Sequence, residues 1–226
     1  MDLIKAFSWL SLTAELGSMI VAFSIWLKIQ SNSLLWLTLY ITIDFTRGNI
    51  GNRMAEFRIH NHSFFYYSSL ITLAILFPFV MSILKEKKHR VRTIWAFAIV
   101  SIASIAPEFT ISGEQFRPHS YYPILFSVFA GVMILNDRVH HHEGKRFNND
   151  PWSVIALVFV ITESITLISL FVGYSTLFLD LPTIFTIAYS FVGTSVTVKY
   201  LLFSWQLWKL KKYTWFVFCR CSLGLV

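Results

Sequence analysis

WSVIALVFVITESITLISLFVGYSTL, residues 152–177, holds a single charged side chain, Glu163. At about 1.5 Å per residue a helix of this length reaches about 39 Å, more than the roughly 30 Å hydrocarbon core of a bilayer. A helix apolar on every face belongs in lipid or at the heart of a large protein. The rest of the chain decides between the two. Its 226 residues are 55% hydrophobic and only 14% charged, with a mean hydropathy of +0.60. That balance leaves too little polar surface to cover a soluble domain. The stretch therefore reads as a membrane span, and Pro151 stands at the first helical position, where its missing N–H costs nothing.

Working outward, the same reading recurs along the chain. Residues 181–208 form a span closed by Lys209, Lys211 and Lys212, and 119–135 form a short one containing Pro123. Residues 93–112 and 63–84 are two more, separated by the basic run 85–92. Residues 6–29 are the first span; Glu15 within them and the lack of a small-residue cleavage site speak against a signal peptide. In the second span, residues 33–43 are apolar and the helix is expected to continue towards Gly48 or beyond. Residues 48–61 read as an outer loop or surface helix, and 136–150 as a hydrophilic loop with the run His140, His141, His142. The expectation is an all-α polytopic transmembrane bundle of about seven spans over 1–212. A short apolar tail, 213–226, is expected in the cytoplasm or at the interface, with Cys219 and Cys221 open to acylation.

The net charge of +7 lies between the apolar runs rather than on a globular face, so nucleic acid is not an expected partner. Lys28, the run 85–92, Arg138, Lys145, Arg146, Lys209, Lys211, Lys212 and Arg220 fall on one side of the membrane. The other side has Lys5, Arg47, Arg53, Arg58 and Arg117. Short loops rich in Lys and Arg stay in the cytoplasm, which puts the amino terminus out and the carboxyl terminus in. A plasma or bacterial inner membrane is the expected location. Membrane lipids, a cytoplasmic protein and a second copy of the chain are the expected partners. The two cysteines are too few for a disulfide framework.

Charge inside the hydrocarbon costs about 2.5 to 3.5 kcal/mol at mid-depth and marks function by default. Glu15 and Glu163 fall near mid-depth, with Asp44 and Glu108 in the outer half. Glu15, Asp44 and Glu163 are expected to form one buried polar cluster suited to proton relay or cation binding. The structural alternative is carboxyls hydrogen-bonded to Thr13, Thr162, Ser164 or Thr166 on neighbouring helices. Lys199 invites comparison with the retinal lysine of seven-span rhodopsins. Counted from Leu181, however, it lies about 27 Å along the span, at the inner interface where an ammonium snorkels to headgroups. The third span also lacks the carboxylate of microbial rhodopsins, so retinal is not expected. His60, His62 and His119, with Glu56 and Glu114, could form an outer metal site of nitrogen and oxygen ligands. No haem pair, phosphate-binding glycine loop, rhomboid serine elbow or ceramidase histidine set is present, and no cofactor is expected.

The segment Asn61-His62-Ser63-Phe64-Phe65-Tyr66-Tyr67 resembles small seven-span proteins of unknown function from Bacteroidota. The regular Tyr-x-x-Tyr and Pro-x-Glu pattern expected of them is missing between Tyr67 and Leu73. The resemblance implies a topology and no activity. Three functions stay open. A sensory or signalling module acting through a cytoplasmic partner leads, since the basic rim suits a protein or anionic lipid. A proton- or cation-coupled transporter or channel subunit follows, and an intramembrane metal-dependent enzyme is third.

Overall fold

A computed structural model describes residues 2–57, 62–105, 121–141, 150–178 and 182–222. Among these residues the chain folds into seven helices: α1 (Asp2–Ile29), α2 (Asn32–Glu56), α3 (His62–Ile83), α4 (Lys87–Ile105), α5 (Tyr121–His141), α6 (Pro151–Phe178) and α7 (Pro182–Ser222). Three contain segments long and apolar enough to cross a membrane: Trp9–Ile29 in α1, Tyr122–His140 in α5 and Pro151–Val172 in α6.

Helix boundaries follow local chemistry. Gln30 ends α1 by taking the left-handed backbone conformation, φ 50°, while its N–H still bonds the carbonyl of Trp26 at 2.8 Å. Pro151 opens α6, and Asp150 caps it by accepting from the Ser153 N–H at 3.0 Å. α2 runs unbroken to Glu56, the surface-helix side of the expectation for 48–56. Two stretches are more helical than expected: α5 takes in 136–141, and α7 continues through the apolar tail to Ser222. Polar residues at 136–141 and the lysines at 209–212 ended the apolar runs, but they did not end the backbone hydrogen bonding.

Neighbouring helices meet in the order α1, α2, α3, α5, α6, α7 and back to α1, a closed ring, with α4 packed outside against α3 and α5. Small residues and hydroxyls set the close approaches. Ser18, in the stripe Ala14, Ser18, Ala22, is fully buried and reaches α7, donating to the Tyr200 carbonyl and lying 2.7 Å from Ser204 Oγ. Thr166 of α6 meets Ser195 of α7 at 2.8 Å. On α5, Gly131 lies so close to α6 that an added Cβ would sit 2.7 Å from Val160 Cγ2 and 2.9 Å from the Ala156 carbonyl.

Aromatic rings fill the ring of helices. The Phe159 ring of α6 lies tilted against Tyr40 of α2 at 5.4 Å, Phe203 of α7 at 5.0 Å and Phe79 of α3 at 6.2 Å. The outer surface carries Trp9, Phe23, Trp95, Ile99, Ile102, Ile168 and Trp205, all well exposed, while Glu15, Asp44, Glu163 and Lys199 are buried. Apolar outside and charged inside is the arrangement of a protein solvated by lipid.

Candidate functional site

Helix periodicity assembles the site from three elements. On α2, Tyr40, Asp44 and Arg47 follow one another by four and three residues, so they share a face. Glu163 stands one turn past Phe159 on α6, and α7 contributes the adjacent Lys199 and Tyr200.

Lys199 is the hub. Its ammonium donates to Glu163 Oε1 at 2.9 Å, to Asp44 Oδ2 at 3.3 Å and to the Tyr40 hydroxyl at 3.3 Å. Three donors thus meet three acceptors, the full capacity of an ammonium. It also lies 4.7 Å from the Tyr200 ring centroid and 5.6 Å from that of Tyr40, close enough for the ring faces to add attraction. The Tyr200 hydroxyl donates a short hydrogen bond to Asp44 Oδ2. Asp44 Oδ1 turns the other way, to Arg47 Nη2 at 2.8 Å, and Arg47 Nη1 reaches Ser69 Oγ of α3 at 3.3 Å.

Glu15 enters from α1. It is buried, its Oε2 has no hydrogen-bond partner, and that oxygen fits the notch left by Gly48, 3.3 Å from where a Cβ would stand. The charges of Asp44, Lys199 and Arg47 all act on it. Counting formal charges gives three carboxylates, Glu15, Asp44 and Glu163, against two cations, Arg47 and Lys199. The difference is one negative charge in a low-dielectric interior. One proton or one monovalent cation would cancel it.

The structure brings Asp44 and Glu163 onto one ammonium and sets Glu15 beside them. Three of the four hydroxyls named in the bundle-holding alternative bond carbonyls of their own helices. Thr13 donates to the Trp9 carbonyl, Thr162 to that of Val158 and Thr166 to that of Thr162. One placement is corrected. Lys199 is 3% exposed and turns into the bundle rather than out towards headgroups, because Glu163, Asp44 and Tyr40 take up its ammonium. α7 extends over 41 residues, so Lys199 stands near its middle. Tyr40, Tyr200 and Arg47 went unsuspected; the four- and three-residue spacing around Asp44 was the available signal. Glu108, His60 and His119 lie outside the described residues, as do the side chains of His62 and Glu56, so the outer metal site has no described geometry.

No family model, curated protein or solved structure matches this chain. Function therefore rests on the site alone.

Proposed function

We propose that this chain crosses a plasma or bacterial inner membrane seven times, amino terminus outside and carboxyl terminus inside, and moves protons or a monovalent cation through the Glu15, Asp44, Lys199 and Glu163 network. The observation carrying this reading is the Lys199 ammonium shared between carboxylates of two other helices, at 2.9 and 3.3 Å, deep inside the bundle. A purely structural ion pair balances its charges. This network holds one carboxylate too many and keeps an oxygen of Glu15 unpartnered, which suits a group that takes up and releases a positive charge. The tyrosine hydroxyls of Tyr40 and Tyr200 offer the relay atoms. The basic residues between spans support the orientation.

The test is ion flux into proteoliposomes under an imposed pH gradient, comparing the purified protein with its Glu15→Gln and Glu163→Gln variants. Uptake that both substitutions abolish, in protein that keeps its helicity and monodispersity, is the expected result. No flux from well-folded wild-type protein would overturn it and return the sensory module, acting through a cytoplasmic partner, to first place. The network would then be a two-state switch rather than a pathway.

A further inference from the structure

Away from this network, two acid-x-x-His pairs face each other where α3 turns into α4 and α5 ends. Glu86, the residue just before α4, and His89 in its first turn stand three residues apart; Asp137 and His140 stand three apart in the last turns of α5. Residues at this spacing project from one face of a helix, and carboxylate-x-x-His pairs on facing helices are a known way for a bundle to hold a metal. His89 and Asp137 are buried, 2% and 0% exposed.

The geometry is close to what a metal needs. His89 Nδ1 lies 3.3 Å from Asp137 Oδ1 and 3.4 Å from Glu86 Oε2. One ligand atom from each of the three residues falls within 4.8 Å of the others. A tetrahedral zinc ion with nitrogen and oxygen ligands at about 2.0 to 2.2 Å separates those ligands by about 3.4 Å. Two edges of the triangle already have that length. The backbone N–H groups of Lys85 and Glu86 donate to the Asp137 carboxylate at 2.8 to 3.2 Å. Such bonds orient a ligating carboxylate, which has lone pairs for both tasks. The His140 ring, on the exposed side, lies with its centroid 6.0 Å from that of His89.

We propose that Glu86, His89 and Asp137 bind one divalent transition cation such as zinc, with His140 beside them, clamping the start of α4 to the end of α5. Two carboxylates balance the two positive charges, and the ion takes the place of the proton on His89 Nδ1. The competing account is a metal-free clamp, in which Asp137 caps α4 and His89 spans the two carboxylates by hydrogen bonds alone.

Metal-stripped full-length protein in detergent, titrated with Co2+ and then Zn2+, separates the two. The expected result is one Co2+ per chain with the intense visible absorption of tetrahedral cobalt, lost on adding Zn2+. His89→Gln and Glu86→Gln should each weaken binding by about tenfold or more. Glu86 is partly exposed, so its variant keeps the test usable if His89→Gln fails to fold. Folded wild-type protein without saturable binding overturns the proposal, as does binding that Glu86→Gln leaves unchanged. Binding lost instead on replacing His60, His62 and His119 would assign the metal to a different site and also overturn it.

Discussion

Lys199 is the residue on which most of the interior electrostatics depends. The residue is 3% exposed and its ammonium uses each donor, so deleting it strands Glu163 and leaves it facing Asp44 as a buried like charge. Lys199→Met should lower stability in detergent by about 3 to 5 kcal/mol, measured by denaturant unfolding. Adding Glu163→Gln should recover part of that loss, because Asp44 keeps Arg47 and Tyr200; the coupling between the two changes should be about 1 to 3 kcal/mol. Strict additivity would show that the two groups do not share an energetic interaction. The acids of this site were legible in the sequence because a carboxylate in an apolar run stands out. The lysine was misread because an apolar run does not disclose which way a side chain turns, and the tyrosines were silent because tyrosine is ordinary in any membrane helix. Asp137 and His140 were hidden by their apparent place in a loop.

At the scale of elements, glycine separates tight from open helix contacts. A Cβ on Gly131 would press on the Ala156 carbonyl at 2.9 Å as well as on Val160 at 2.7 Å, and a helix backbone cannot turn aside as a side-chain tip can. Gly131→Ala should therefore cost about 1 to 3 kcal/mol by pushing α5 from α6. A Cβ on Gly17 meets nothing within 4 Å, and Gly17→Ala should stabilise by about 0.5 to 1 kcal/mol through backbone entropy alone. Thermal unfolding of both variants side by side checks the contrast, and equal shifts would contradict the close α5–α6 packing. That there are helices at these places was legible from the apolar runs. Two of their ends were not, because hydrogen bonding along a helix backbone carries on through Asn136 to His141 in α5 and Lys209 to Ser222 in α7.

The whole molecule places α4 outside a ring of six helices, its Trp95 66% exposed. If α4 crosses the bilayer, a variant with Trp95 as its only tryptophan should be quenched strongly by brominated acyl chains and little by aqueous iodide. The reverse pattern would remove α4 from the membrane and with it the seven-span reading. Class and helix number were legible in composition and periodicity. The order of neighbours was not, because helices apolar on nearly every face show no stripe that names a partner, and only particular side chains such as Ser18 and Lys199 disclose who touches whom. One feature of that arrangement reaches beyond the bundle's interior. α7 is a single helix of 41 residues, about 60 Å long, twice the thickness of the hydrocarbon, and Lys199 sits near its midpoint. A rigid rod held at its centre is a lever, and a tilt of about 5° at Lys199 sweeps the Ser222 end, about 35 Å away, through about 3 Å. A change of charge at the centre that tilted the rod would therefore be felt as displacement near Ser222.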